Sequence, residues 1–525
     1  VIFGGSPGLA YPGSRMSPGT LDWPIIGTDP NDDTMREGAA ITNRSWHLWR
    51  SNPYARALTK VMEEGVLGPN GLVPRSIFRG NTGHDLNVDP VIAEQQIDKS
   101  RDSRAAIEKS LRSAWRGKRF DATGQNTKRE MSNLMLLSML VTGNGFAIRQ
   151  WLPNRPGRQY QATCWRVIDP QRVSNPSWAP NTATAFEGVR LDDNGCPIGV
   201  WVQRRNPYAL QVVDYKWDFV PWYASDGSLN VTHLKAPGRP DQILGIGWYD
   251  SIMSLVHQLG EVTDAYVVAK RVQACIGYIE ASGNPTASVA SQRNGATSTN
   301  PTGASNGRMY PGMRIVVPKE TTITPLNWNF QGGDHSAFQD SLLTAISAAW
   351  GLPMEFVQHR LTKSNMASAR VALGQAYRTF TSIQEMLIGS VETPWAESVV
   401  IEDLARGNIA VDESDLDDVL AFRWNRPAKQ FPDPQKEANG GLLMKELGKA
   451  PSTILAEQGL DHETEILIGQ QDRAFEKAHG FVAIPPTATT APAGTDAPVD
   501  PEADPADEVA PGDEVAATPD GAEAA

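Results

Sequence analysis

The sequence predicts an α+β protein whose helices and strands are segregated along the chain. Before residue 143 and after residue 247 apolar residues recur at helical spacing, whereas from 143 to about 235 the chain breaks into short β-prone runs separated by turns. Its length bounds the architecture. At 525 residues it exceeds the roughly 250–300 at which a single core stops growing, so about two to four structural units are expected.

Each element has its own signal. Residues 1–40 are rich in Gly, Pro, Asp and Ser and read as a flexible N-terminal arm, with no basic stretch followed by a long apolar core that would mark a signal peptide. In "NPYARALTKVMEEGVLGPNG", Asn52 is placed to cap a helix, Pro53 occupies its first position, and Tyr54, Leu58, Val61 and Met62 form one stripe. A later helix carries Leu134, Met135, Leu136, Leu137, Met139, Leu140 and Val141, apolar nearly all round and therefore buried, and ends at "TGNG". The runs "GFAIRQW", "YQATCWRVI", "GVWVQRR", "LQVVDY" and "LNVTHL" then read as hairpin strands.

A long helix is expected over 248–275, with Ile252, Leu255, Val256, Leu259, Val262, Tyr266 and Ala269 at helical spacing. The segment 281–308 has Val289 as its one large apolar residue and reads as a flexible insert. A short β piece, "MRIVVP" and "TTITPLNW", is followed by a helix over 336–350 that Gly351 and Pro353 stop. Another long helix starts at Ser364 and breaks at Pro394, after which Trp395, Val399, Val400 and Leu404 mark a further one. The last 41 positions, 485–525, are mostly Pro, Ala, Thr, Gly and acid, and read as a disordered acidic tail.

Charge and cysteine content narrow the function. The formal net charge is −12, and the acidic tail holds ten Asp and Glu with no Lys or Arg, so the rest of the chain is nearly neutral. The totals show no general basic surface for nucleic acid. Three scattered cysteines form neither a disulfide framework nor a metal knuckle and suit a reducing compartment. The longest strongly apolar run, "LMLLSMLV", falls short of the ~20 residues that span a bilayer, so no membrane association is expected.

No catalytic constellation emerges. There is no phosphate-binding GxxxxGK[ST], and "GNG" at 143–145 and "GIG" at 245–247 read as plain turns. Two GxSxG matches, "GGSPG" and "GASNG", lie in low-complexity chain without the strand and helix a nucleophile elbow needs. The cluster "VDESDLDD", with Asp412, Glu413, Asp415, Asp417 and Asp418, could hold two metal ions in a nuclease. A solvated acidic loop or helix start is the better reading, because no His or Lys accompanies it. His233 and His257 read as structural, the many tryptophans as core, and no metal or cofactor is expected.

Several segments in order carry a resemblance. "ITNRSWHLWRSNPYARALTKVMEEGVLGPNGLVP" is followed by "VTGNGFAIRQW", "WRVIDPQRVSNP", "DDNGCPIGVWVQRRNPY", "VTHLKAPGRPDQILGIGWYDSIMSLV", and then "GLPMEFVQ" and "SNMASARVAL". Their order and spacing over about 40–420 resemble the lambda-like family of tailed-bacteriophage portal proteins. The resemblance implies a non-enzymatic portal-type fold with helical stem and crown, β-rich wing and clip. It implies a homo-oligomeric ring of about twelve copies at one capsid vertex. Double-stranded DNA would pass through its channel during packaging and ejection. Terminase, major capsid and scaffolding proteins and the head–tail connector would be partners. The ring would be assembled in the host cytoplasm and carried in the virion.

On this map 41–247 is wing, 248–275 the first stem helix, 276–335 the clip with the insert 281–308, and 336–350 the second stem helix. Residues 351–393 are the tunnel loop and long wing helix, and 394–484 the crown. The tunnel loop corresponds to Val357–Ser364, with His359, Arg360, Lys363, Ser364 and Asn365 as candidate DNA-channel residues. Arg360, repeated around a ring, would become a belt of positive charge facing phosphates. The competing possibility is that Arg360 and Lys363 pair with acids of a neighbouring subunit, and the alternative function is the metal-dependent nuclease built on 412–418.

Overall fold

The computed structural model describes residues 28–78, 90–155, 161–204, 216–282, 313–318, 332–358, 366–409, 416–428 and 434–457, with isolated positions between 462 and 473. The chain divides into two units, Val1–Glu463 and Thr464–Ala525, and the helices and strands named here all lie in the first.

Helix α1 spans Pro30–Ser51 and so begins inside the segment that the sequence assigns to a flexible arm. The reason is local and tertiary. Asp29 accepts from Asn31 N at 2.7 Å and Pro30 needs no hydrogen-bond acceptor at the first position. Asn31 Nδ2 then donates to Asp241 O at 3.0 Å while its Oδ1 accepts from Ile243 N at 2.9 Å, which pins the start of α1 to a distant loop. Helix α2, Pro53–Leu67, starts as its sequence predicts: Asn52 Oδ1 accepts from Tyr54 N and Ala55 N at 2.9 and 3.2 Å. Its Leu58, Val61 and Met62 are buried.

Strand β1 (Val73–Ser76) precedes α3 (Pro90–Ala114) and α4 (Lys128–Thr142). A reciprocal cap fixes the start of α4, with Thr127 bonded to Glu130 N and Glu130 reaching back to Thr127 N. Strands β2 (Asn144–Trp151), β3 (Thr163–Ile168), β4 (Ala185–Phe186), β5 (Val189–Leu191), β6 (Pro197–Gln203), β7 (Trp217–Pro221) and β8 (Val231–Lys235) follow. They form two antiparallel sheets, β3-β2-β8 and β4-β5-β6-β7. A small core of Phe146, Ile148, Ile168, Val200, Trp222 and Val231 unites residues of both sheets.

Helix α5 (Met253–Cys275) leads into β9 (Ile276–Ser282), which pairs in parallel with β10 (Met313–Pro318). Then come α6 (Gly332–Ala349), the short α7 (Met354–Gln358) and α8 (Met366–Leu387). The expected break at Pro394 is absent. Helix α8 passes through one wide π turn, Ile388–Glu392, directly into α9 (Thr393–Ala405). Pro394 stands in the first turn of α9, next to a turn whose hydrogen bonding is already interrupted, so its missing N–H breaks nothing. After α10 (Leu416–Val419), β11 (Phe422–Asn425) pairs with β1, and α11 (Pro434–Glu446) and α12 (Pro451–Glu457) complete the described chain.

The main core joins α2, α4, α8 and α9 around fully buried Trp165, Tyr249, Trp350 and Trp395. Many of the tryptophans thus serve packing. His233 lies flat on Phe146, ring centroids 4.1 Å apart, with Nε2 3.0 Å from Asn144 Oδ1. Burial lowers the imidazole pKa to about 3, with Lys235 acting in the same sense, so this histidine stays neutral.

The two glycine motifs meet each other. Gly143, at φ +86°, ends α4, and a Cβ built there would lie 2.4 Å from the backbone of Gly245. Between them Asn144 imitates a strand partner, donating to Gly245 O and accepting from Gly245 N, both at 2.9 Å. "GNG" and "GIG" are therefore turns, as expected, but turns welded back to back. Gly143→Ala should destabilise the fold by more than about 2 kcal/mol, because a left-handed backbone and a backbone clash add. Chemical unfolding checks this, and an unchanged midpoint contradicts it.

Candidate functional site

The candidate segment leaves α6 through a helix stop that packing holds in place. Gly351, at φ +64°, terminates the helix, its N–H bonded to Ala348 O at 3.0 Å, while Leu352 N bonds Ser347 O at 3.0 Å. Just before the stop, Trp350 is buried edge-on against Trp248 and Tyr249, at centroid distances of 5.8 and 5.1 Å. Tyr249 in turn donates to Ala55 O at 2.7 Å and contacts the Thr59 hydroxyl, and burial raises its pKa well above the usual phenol range. The exit from α6 is thereby tied to α2.

Helix α7 carries the chain onward. Val357 is buried, and Gln358 Nε2 donates to Asp340 Oδ1 at 3.0 Å, clamping the end of α7 against α6. His359, Arg360, Lys363, Ser364 and Asn365 lie outside the described residues. The chain is described again from Met366, the first residue of α8.

The far side is held equally well. Thr379 Oγ1 donates to Gly351 O at 2.9 Å, so α8 grips the helix stop itself. Phe380 fills the space that a side chain at Gly65 would need, a Cβ there lying 2.4 Å from its ring, and Gln384 Nε2 donates to Val66 O at 2.9 Å. Both rims of the candidate segment therefore rest on α2, the first on its N-terminal half through Ala55 and Thr59 and the second on its C-terminal half through Gly65 and Val66.

Past these contacts lies a buried ion pair. The π turn brings Glu392, fully buried, against Lys128 at the start of α4. Ser132 Oγ donates to Glu392 Oε1 at 2.7 Å, and Lys128 Nζ donates to Leu72 O at 3.1 Å. The ammonium also stands 4.8 Å from the Trp115 ring centroid and 5.6 Å from that of Trp424. Nearly three turns later Glu402 accepts from Ala162 N and Thr163 N at 2.7 and 2.8 Å, and Asp403 accepts from Ser110 Oγ. The α8–α9 rod is thus bonded to α2, α3, α4 and β3.

Of the acidic cluster, Asp418 is described and exposed, whereas Asp412, Glu413 and Asp415 lie outside the described residues. Among the described residues no three His, Cys, Asp or Glu side chains are grouped to hold a metal, and no helix is long and apolar enough to cross a membrane.

Comparison with known proteins adds a family. The model described as phage portal protein, lambda family, matches residues 17–384. The probable portal protein of Halomonas phage phiHAP-1 is 20% identical over 422 residues, covering 78% of this chain and 75% of its own. The portal protein of Escherichia phage N15 is 21% identical over 396 residues, covering 70% and 71%. Portal protein B of Escherichia phage lambda is 21% identical over 233 residues, covering 42% and 43%. A chain in the virion of a native gene transfer agent particle superposes with a TM-score of 0.40 at 14% identity, covering 84% of this chain and 96% of that one.

The ion pair generates a prediction. Lys128→Met alone should cost about 3–5 kcal/mol, since it strands a buried carboxylate, whereas adding Glu392→Leu should recover most of that loss. Urea unfolding of both variants measures this, and additive losses would contradict it.

Proposed function

The chain belongs to the lambda family of phage portal proteins, and on that premise we propose that it forms a ring of about twelve copies at one capsid vertex. The ring provides the channel through which the genome is packaged and ejected. Terminase and the head–tail connector dock on it, and major capsid and scaffolding proteins surround it. The family is structural rather than enzymatic, so the energy of packaging comes from the terminase. The protein works in the virion after assembly in the host cytoplasm.

One observation carries the ring. Helices α5 and α6 are joined by Gln339 Nε2 donating to Thr263 Oγ1 at 3.1 Å, yet Val268 and Phe338 on them are 56% and 50% exposed. Apolar side chains left uncovered on a helix pair call for a neighbouring subunit. In this reading α5 and α6 are the stem, the β-rich 143–235 with the N-terminal helices the wing, 276–335 the clip, and the helices after Pro394 the crown.

The segment 357–364 is the tunnel loop. Its rims are fixed by Trp350, Gly351, Thr379 and Phe380. Arg360 and Lys363 meet DNA phosphates, and His359 adds charge only where its pKa lies near ambient pH. Such contacts ignore base sequence, which suits a duct through which DNA slides.

Changing Arg360 and Lys363 to Ala should leave ring assembly unchanged and impair DNA packaging or retention, the more so at low salt. Packaging assays across a salt series read this directly. Normal packaging and retention by the double variant at every salt concentration would rule out the DNA-facing role.

A further inference from the structure

The two β sheets border an open cavity of about 520 Å³, lined among others by Ile148, Arg149, Trp151, Arg166, Arg172 and Phe219. Its charge is unusual for its position. On strand β3, Cys164, Arg166 and Ile168 share one face, and Cys164 and Ile168 are both buried. Arg166 therefore occupies a site that strand alternation would fill with an apolar side chain, opposite Ile148 on β2. It forms no hydrogen bond or ion pair among the described residues.

Arg172 approaches from the short turn Pro170–Arg172. Its Nε and one terminal nitrogen donate to Gln203 O and Arg204 O at 2.9 and 2.8 Å, which orients the guanidinium and leaves donors over. The acids nearby also have other partners. Asp218 is held in a fork by Arg204, with contacts of 2.9 to 3.0 Å. Asp226 accepts from Ser228, whose hydroxyl also meets Arg149, and Asp169 caps its own turn through Gln171 N. Two guanidiniums thus stand close together, with Asp169 and Asp218 acting electrostatically on Arg172. Burial first and the charge of Arg166 second lower the pKa of Arg172, and the two carboxylates oppose this without cancelling it.

At the rim, Trp151 and Phe219 are 56% and 40% exposed. The cavity thus joins a cationic floor to an aromatic lip. A nucleic-acid backbone does not suit it, because Asp218 and Asp226 also line the cavity and would repel a run of phosphates. A single oxyanion with an apolar group attached matches both parts.

We propose that this cavity binds a carboxylate or phosphate ester carried on an apolar body, its oxygens between Arg166 and Arg172 and its apolar part against Trp151 and Phe219. The chemistry has two sources, a small free phosphate ester or an acidic residue beside an aromatic one in a partner polypeptide.

Isothermal titration calorimetry on the full chain distinguishes them, with phenyl phosphate as one probe and the capped dipeptide acetyl-Phe-Asp-amide as the other. Saturable binding of phenyl phosphate assigns the small-molecule source, and of the dipeptide the polypeptide source. Arg166→Gln should weaken the bound probe at least about ten-fold, because a charge-assisted fork is lost. Arg190→Gln, an exposed side chain on β5 that does not line the cavity, should change it less than about two-fold. Arg166 anchors nothing else, so the melting temperature of Arg166→Gln should match that of the parent chain. Raising salt should weaken binding to the unmodified chain, a readout independent of any variant. Failure of both probes to saturate, or undiminished binding by Arg166→Gln, would overturn the proposal.

Discussion

A buried charge has to be paired, and the pairing of Lys128 with Glu392 is the constraint from which much of this architecture follows. Glu392 is reached only because α8 widens into a π turn before α9, and Lys128 only because the Thr127–Glu130 cap starts α4 at that point. Once joined, the two helices fix the entry of α4, the floor of the main core and the direction of the α8–α9 rod. The rod then places Thr379 and Phe380 at the helix stop beside the candidate loop. Structural strength and functional placement thus share a single set of contacts. Removing one partner alone strands the other charge in an apolar surrounding, which is why the pair holds the register so firmly.

What could be read from residues alone were the local devices. Asn52 and Pro53 start α2, Gly143 ends α4, and Gly351 ends α6, each because the necessary backbone angle or cap is written in one or two side chains. The elements that depend on distant partners were harder. The first turns of α1 are held by Asp241 and Ile243, more than two hundred residues away, so their composition alone suggested a loose arm. Pro394 suggested a break because nothing local announces a π turn. The parallel pairing of β9 with β10 likewise depends on two strands far apart in the chain.

The candidate site was legible in outline for the same reason. Gly351 and Pro353 mark where one helix must stop, and the motifs around them carry the family resemblance that the match over residues 17–384 establishes. The residues that hold the rims were not legible. Thr379, Gln358 and Asp340 are ordinary polar side chains in helical chain, and only the fold shows that they bond across the stop. Arg166 offered a faint signal, a charge in the otherwise uncharged run "ATCWRVI", whose meaning needs the second sheet to be in place.

A channel exists only if copies of the chain close around an axis, so every role assigned to the tunnel loop rests on the ring. Val268 on α5 and Phe338 on α6 are exposed in the single chain, and the proposed ring would bury them against neighbouring copies. Native mass spectrometry of the full chain at micromolar concentration tests this most directly. The account predicts a closed assembly of about twelve copies of the 57.1 kDa chain. A spectrum containing only the monomer would contradict it.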